Sequence, residues 1–418
     1  MDLTYDALFD INDPNSLKKM SDHGISGLVN LGNTCYLNSA IQLISNIKVF
    51  SLYFVSNQFR EDIADENKEV LFLKEWVTLI HAMWEDISET KPNCIVKPVS
   101  LRRRLGEFYA PYAGSQQHDG QEAVGVILDI LHKSLCYEAS IKSIIKDNSR
   151  ELTRKERITL KSIESWSKSF EREYSIPVSL FYGQFYSEVK CDACGHISET
   201  FEPFNTLLLP IGQSCITIYD CIENFGLSEN IDADCGWSCD KCKKQTSAKK
   251  KVTIWKLPPI LIIAFKRFEF KRGGFLPVKI NTRIDFPLCD FRMGKLCERS
   301  SDINRKYHLA GVSNHSGGTF GGHYTAYCKN GNGKWYEYDD DAVEELQDVG
   351  TIVSNQAYVL IYESQDLDIS KICDLSFSEM LKHVNSEGYR TFISNENSTS
   401  IDTEIFDPNT EDQQLEWV

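Results

Sequence analysis

Apolar and polar positions change character partway along the chain. The first 26 residues are polar and carry no strong periodicity. From residue 27 to about 135 the pattern is mostly helical. Gln121 to Leu131, for example, places Val124, Ile127, Leu128 and Leu131 on one face. Residues 141 to 173 are highly charged and predict a solvated helix. From about Ser179 β-formers take over. Phe181 to Val189 and Val252 to Trp255 read as strands, and the apolar run Leu257 to Phe265 reads as a buried one. Strand signals continue to Tyr362, after which apolar positions thin out, apart from a helix expected near Phe377 to Val384. Helices first and strands later predict an α+β architecture.

Composition narrows the choices. The chain has 418 residues, 42% hydrophobic and 11% aromatic, enough to bury a real core. At about 150 residues per domain it is one large domain or two to three small ones. The formal net charge of -15 disfavours a protein that works by neutralising nucleic-acid phosphates. Much of that charge sits at one end. Residues 363 to 418 hold 13 acidic residues against Lys371, Lys382 and Arg390, so the first 362 residues carry only -5.

Fourteen cysteines are too few for a disulfide scaffold at this length. The opening Met1-Asp2-Leu3-Thr4-Tyr5-Asp6 has neither the basic nor the apolar region of a signal peptide, and no apolar run approaches 18 residues. A soluble intracellular protein with reduced thiols, in cytoplasm or nucleus, is expected. Its cysteines then read as metal ligands, nucleophiles or small core residues.

Gly27 to Gln42 (Gly-Leu-Val-Asn-Leu-Gly-Asn-Thr-Cys-Tyr-Leu-Asn-Ser-Ala-Ile-Gln) starts a helix near Cys35. Asn33 and Thr34 are good N-cap residues, and Leu37, Ala40, Ile41 and Ile44 follow at helical spacing. First-turn amides and the helix dipole favour a thiolate there, which predicts a lowered Cys35 pKa. A core cysteine beside an apolar helix face fits this segment equally well. Asn30 lies on the glycine-punctuated approach, where its amide can donate to an oxyanion together with the Cys35 N–H.

Gly321-Gly322-His323-Tyr324-Thr325-Ala326-Tyr327-Cys328 reads as a strand. Asn330-Gly331-Asn332-Gly333 is a turn, and Lys334 to Asp339 a second, aromatic strand. In a hairpin centred near Gly331, His323 and Asp339 face each other, with Cβ atoms about 5 Å apart if directly paired. Asp340 is the second candidate if the register slips. Alone this is a hairpin with a polar cross-strand pair. Beside a helix-start cysteine it points to a cysteine nucleophile with an oriented histidine.

Cys191-Asp192-Ala193-Cys194-Gly195 and Cys239-Asp240-Lys241-Cys242 form two C-x2-C pairs with 44 residues between them. Each pair suits a knuckle offering two thiolates to one tetrahedral, structural Zn²⁺, and strand-like flanks suit a zinc ribbon. Redox motifs fit less well, since neither pair opens a helix in a βαβ unit. Cys235 is a substitute ligand or, more simply, a free thiol.

Together these stretches resemble the ubiquitin-specific protease (USP) family of cysteine deubiquitinases, over about residues 24 to 363. Gly27 to Gln42 is similar to that family's cysteine box, and Gly321 to Tyr327 with Trp335 to Asp341 to its histidine box. Gln116-Gln117-His118-Asp119-Gly120-Gln121-Glu122 resembles an internal glutamine–aspartate motif. Leu257 to Phe268, Tyr307 to His315 and Ala357 to Tyr362 resemble core strands.

The resemblance implies a papain-like α+β cysteine protease with thumb, palm and fingers. The implied division is an N-terminal segment (1–26), a catalytic domain (27–363) and an acidic, partly disordered tail (364–418). Within the catalytic domain the thumb would span about 27–175 and the fingers and palm about 176–363, with the zinc ribbon inside 185–255.

It also implies roles: Cys35 as nucleophile, His323 as general base and acid, Asp339 as its orienter with Asp340 assisting, and Asn30 as oxyanion donor. Asp119 would pair with the arginines of ubiquitin's C-terminal tail. Gln117 and Tyr324 would line the same channel, and Ser313 to Gly322 would be a mobile loop over it. The implied reaction is hydrolysis after the C-terminal glycine of ubiquitin through a thioester. The implied partners are ubiquitin and ubiquitinated proteins, with no nucleic acid, no membrane and a monomeric catalytic domain. Ala123, Val124 and Ala264 depart from the family pattern and read as packing changes. The alternatives are a catalytically silent ubiquitin-binding scaffold, a protease for another ubiquitin-like modifier, and a nucleic-acid-binding ribbon suggested by the lysines between Lys241 and Lys251.

Overall fold

The computed structural model describes residues 7–10, 13, 15–63, 68–84, 94–138, 140–144, 153–270, 276–298, 300–318, 321–367 and 390–394. Its contacts group the chain into two compact units. One comprises residues 1–136 and 175–367, the other residues 137–174 and 368–418.

The first unit is built on the helix Cys35–Ser45. Every residue of that helix is buried, although the sequence shows an apolar stripe along only one side. Its polar side is accommodated by hydrogen bonds to neighbouring backbone and side chains. Asn38 Nδ2 donates to the Leu28 carbonyl, Gln42 Nε2 to the Ser26 carbonyl, and Ser39 Oγ bonds Ser313 Oγ. The helices Lys48–Val55, Lys68–Trp84, Val99–Phe108 and Gly120–Ser134 belong to this half. Ala123 and Val124 are buried in the last of these. Ser26–Leu28 forms a short parallel pair with Cys94–Val96, so the polar first segment ends in an ordered strand.

A seven-stranded sheet carries the other half. In spatial order its strands are Ala342–Glu345, Trp335–Asp339, Gly321–Lys329, Tyr307–Gly318, Ala357–Ser364, Ile260–Lys266 and Thr206–Pro210. All neighbours are antiparallel except the last pair, which is parallel. Ile260–Lys266 is buried on both faces from Ile260 to Phe265, as a continuous apolar run in a central strand requires. Ala264 lies opposite Val359 there. A second, antiparallel sheet joins Ile197–Phe204, Gly183–Cys191, Ala248–Lys256 and Glu229–Ile231.

Three expectations change. Phe181 closes a short helix, Ile176–Phe181, before the strand begins at Gly183, because Ser175 caps that helix through the Val178 amide. Ser313 to Gly318 and Gly321 to Gly322 lie in a paired hairpin, with Gly318 opposite Gly321, and are not a loop. Residues 141 to 173 are not one solvated helix. In the second unit Ser140–Ile144 is a strand paired with Arg390–Ser394, and the helix runs Arg154–Phe170. That helix buries Ile158, Ser162, Trp166 and Phe170 at a strict spacing of four. The helix expected near Phe377 to Val384 lies outside the described residues. Among the described residues, no helix is long and apolar enough to cross a membrane.

Candidate active site

Cys35 is the first residue of its helix, as the capping pattern predicts, with Thr34 at the N-cap position. The Thr34 hydroxyl does not cap. It accepts from the Leu31 amide at 2.8 Å and so shapes the approach loop. Asn30 shapes the same loop, its Oδ1 accepting from the amides of Gly32 and Thr34 at 2.9 and 3.1 Å.

The sign of the Cys35 shift is opposite to the expectation. Burial, with 3% of the residue exposed, pushes its thiol above the ordinary value, and the Asp340 carboxylate adds to this. Amides of Tyr324, Tyr36 and Cys35 itself pull the other way and do not win. The same amides put the sulfur within hydrogen-bonding reach of the residue that follows His323.

His323 and Asp339 come from adjacent strands. His323 Nε2 lies 2.5 Å from Asp339 Oδ1. The strand register is not the one expected, because the hairpin is centred on Asn332 and not on Gly331. Ala326 pairs Tyr338 and Cys328 pairs Tyr336, which sets Thr325, not His323, opposite Asp339. The contact is therefore a diagonal one, two residues along on the same face, within reach of these side chains. With Nε2 on Asp339, the ring's Nδ1 is left for the thiol side.

Asp340 turns elsewhere. Its φ of +54° is left-handed, a region that aspartate tolerates. The turn aims its carboxylate at the cysteine helix, with one oxygen still within 4.8 Å of a His323 ring nitrogen and an Asp339 oxygen. Oδ2 accepts from Asn30 Nδ2 and Oδ1 from Asn38 Nδ2, both at 2.8 Å, and its carbonyl accepts from the Leu28 amide at 2.7 Å. A Cβ on Gly27 would collide with the Asp341 carbonyl, so this close docking requires glycine. Asn38 is a site residue that the sequence reading missed. It lies one turn after Cys35, on the helix face hidden by Asp340.

The 114–119 loop and the strand Gly321–Lys329 supply the remaining residues. Asp119 caps the helix Gly120–Ser134, its Oδ1 accepting from the Gln121 amide at 2.7 Å, while Oδ2 accepts from Tyr358 Oη at 2.6 Å. Tyr324 is buried with its ring against Gly120 and 4.6 Å from the His315 ring. Gln117 is exposed and bonds the backbone of Gly322 twice. Thus Cys35, His323, Asp339, Asp340, Asn30, Gln117 and Tyr324 are gathered at one junction of helix, sheet and loop. Asp119 joins them through its contacts with Tyr358 and the helix start.

Cys191, Cys194, Cys239 and Cys242 form a separate cluster at the end of the four-stranded sheet, all four sulfurs lying within 4.8 Å of one another. Cys191 and Cys242 are 4.0 Å apart and Cys194 and Cys239 3.6 Å apart. Thiolates about 2.3 Å from a tetrahedral centre are about 3.8 Å from each other, so the donor set fits a metal ion. Each knuckle closes on a left-handed residue, Gly195 at φ +68° and Lys243 at φ +54°. Cys235 stands outside the cluster. Four sulfur donors leave no open position, which fits a structural ion.

The buried cysteine at a helix start and the carboxylate-held histidine define a cysteine-hydrolase type of site on an α+β fold. The family model described as ubiquitin carboxyl-terminal hydrolase matches residues 26–362, and the chain belongs to that family, whose members are cysteine-type deubiquitinating hydrolases. It is 32% identical to "Ubiquitin carboxyl-terminal hydrolase 2" of Homo sapiens over 352 residues, 83% of this chain and 56% of that one. It is 30% identical to "Ubiquitin carboxyl-terminal hydrolase 4" of Saccharomyces cerevisiae over 367 residues, 80% of this chain and 39% of that one. The chain thus spans about half, or less, of the length of these curated relatives. In fold it is similar to the Ubp8 structure in the SAGA DUB module bound to monoubiquitin, with a TM-score of 0.64 at 23% identity, covering 84% of this chain and 71% of that one.

Proposed function

We propose that this chain is a thiol hydrolase that removes ubiquitin from conjugates. The observation that carries the proposal is the His323–Asp339 contact at 2.5 Å beside a buried Cys35 whose sulfur feels the Tyr324 amide. Membership of the ubiquitin carboxyl-terminal hydrolase family supplies the substrate class.

Cys35 is the nucleophile in this reading. Its raised pKa leaves a neutral thiol that needs a base, and His323 Nδ1 takes the proton while Asp339 stabilises the imidazolium. The thiolate attacks the carbonyl of ubiquitin's terminal glycine. The Cys35 amide and the second N–H of the Asn30 carboxamide stabilise the oxyanion; Asn30's other N–H is already given to Asp340. His323 returns the proton to the leaving amine, and water then hydrolyses the thioester. Asp340 serves this chemistry by fixing Asn30 and Asn38.

Asp119, Gln117 and Tyr324 belong to the ubiquitin-tail channel in the same reading. Asp119 keeps an acceptor position on Oδ2 beside its bonds to the Gln121 and Glu122 amides and Tyr358, so a tail arginine adds to an existing network. The four-cysteine cluster holds one structural Zn²⁺, supported by its sulfur spacing and its thiolate donors.

Incubation with a ubiquitin bearing a C-terminal electrophile tests the activity. Labelling that Cys35→Ala abolishes supports it. Tight ubiquitin binding without labelling or turnover would favour the scaffold alternative, and labelling by another modifier's probe alone would reassign the substrate.

A further inference from the structure

Gly322, the residue before His323, is held from two sides. Strand Trp335–Asp339 pairs with Gly321–Lys329 only from Ala326 onward, so the edge at residue 322 lacks a neighbouring strand. The Gln117 carboxamide fills that place. Its Nε2 donates to the Gly322 carbonyl and its Oε1 accepts from the Gly322 amide, each at 3.0 Å. The pair imitates one rung of an antiparallel ladder. On another side, a Cβ at Gly322 would collide with the His315 ring and the Ser316 carbonyl. The peptide leading into His323 therefore has little room to move.

The loop that carries Gln117 is tied to the approach to Cys35. Arg102 donates to the Leu31 carbonyl at 3.2 Å and to the Gly114 carbonyl at 2.8 Å. Asn33 Nδ2 donates to the Ser115 carbonyl at 2.9 Å. His118 Nε2 bonds the Pro111 carbonyl at 2.9 Å, with its ring 4.7 Å from that of Tyr112. A continuous bracket runs from residues 31–33 through Gly114 and Ser115 to Gln117, Gly322 and His323.

We propose that Gln117 is a positioning residue that holds His323 in register with Cys35, in addition to any contact it makes with substrate. This rests on the reading of Cys35 and His323 as nucleophile and base. A misplacement of about 1 Å between such groups costs on the order of 100-fold in rate. A residue that only lines the substrate channel would alter KM and leave the free enzyme unchanged. A positioning residue alters kcat and the free enzyme as well.

The test compares wild type, Gln117→Ala, Gln117→Glu and Asn33→Ala on a fluorogenic ubiquitin substrate. It adds the pH dependence of Cys35 alkylation by iodoacetamide without substrate, and the imidazole nitrogen NMR shifts of His323. The expected result for Gln117→Ala is a kcat lowered about 10- to 100-fold with KM within about threefold, together with a changed alkylation profile and shifted His323 signals. Gln117→Glu keeps the acceptor for the Gly322 amide and should fall between. Asn33→Ala should change the same three readouts more weakly. A Gln117→Ala enzyme with raised KM but unaltered kcat, alkylation profile and His323 shifts would overturn the proposal. If wild type turns over no substrate, the activity reading fails, and the alkylation and NMR comparisons still decide whether Gln117 governs His323.

Discussion

Asp339 and Asp340 are neighbours in the chain and serve different side chains. Asp339 accepts from His323 at 2.5 Å, while Asp340, turned by its φ of +54°, accepts from Asn30 and Asn38 at 2.8 Å each. Their substitutions should therefore have different signatures. Asp339→Ala releases the imidazole, and kcat is expected to fall about 100- to 10,000-fold with little change in KM. Asp340→Asn removes a negative charge that raises the Cys35 pKa. The alkylation midpoint of Cys35 should then move to lower pH, even though kcat also falls as Asn30 loses its anchor. An unmoved or raised midpoint would show that Asp340 does not act on the thiol. The titratable groups that act on Cys35 in this comparison are Asp340, Tyr36 and Tyr324.

His315 gives the fold a measurable acid weakness. It is 4% exposed, and burial, with a smaller push from Lys279, lowers its pKa from 6.5 to about 4. Phe268, Tyr324 and Tyr358 surround the ring, and Arg267 lies close enough to lower the Lys279 pKa. In the unfolded chain the imidazole binds a proton near pH 6.5, and in the folded chain it resists until about 4. Stability is thus lost as pH falls from about 6.5 to 4, by roughly 3 kcal/mol from this group, and levels off below. Urea denaturation at pH 7 and pH 4.5 should show a smaller acid loss for His315→Gln than for wild type. An equal loss would contradict the assignment.

The four-cysteine cluster should carry one zinc per chain. Metal analysis of the purified protein is expected to find it, and Cys239→Ser or Cys242→Ser should lose it with a Tm lowered by several degrees. Alkylation of Cys35 should persist, because the cluster lies apart from the active-site residues. Full thermal stability without metal would contradict the site.

Arg267 is buried, and among the described residues no carboxylate pairs with it. Its guanidinium donates to the carbonyls of Ala357, Ile280 and Thr282 at 2.7, 3.0 and 2.9 Å, and burial lowers its pKa to about 10. Replacing it takes the donor from one buried and two partly buried carbonyls and opens a cavity beside Phe265. Arg267→Ala should cost about 3–5 kcal/mol in denaturant unfolding. A loss below about 1 kcal/mol would show that those carbonyls find other partners.

Local chemistry was legible where it depends on a few adjacent residues. The helix start at Cys35, the hairpin turn after Lys329, the two knuckles and the buried strand at Ile260 all follow from spacing, glycines and β-formers. Register was less legible. A turn can shift pairing by two residues and keep both side chains on one face, so His323 still meets Asp339, but diagonally. The pKa of Cys35 was read with the wrong sign because helix amides are visible in a sequence and burial is not. Asn38, the double bond from Gln117 to Gly322 and the pairing of Ser140–Ile144 with Arg390–Ser394 depend on contacts between distant segments, which no local pattern encodes.

In the sequence, the acidic excess at the end of the chain lies beyond the candidate site residues. Every residue assigned to catalysis or to the metal lies between Asn30 and Asp340.

The most direct measurement is labelling of the native protein with a ubiquitin that carries a C-terminal electrophile, followed by intact mass and peptide mapping. The account predicts a single adduct of one ubiquitin on Cys35, absent in Cys35→Ala and strongly slowed in His323→Ala. An unlabelled native protein, or equal labelling of Cys35→Ala, would contradict it.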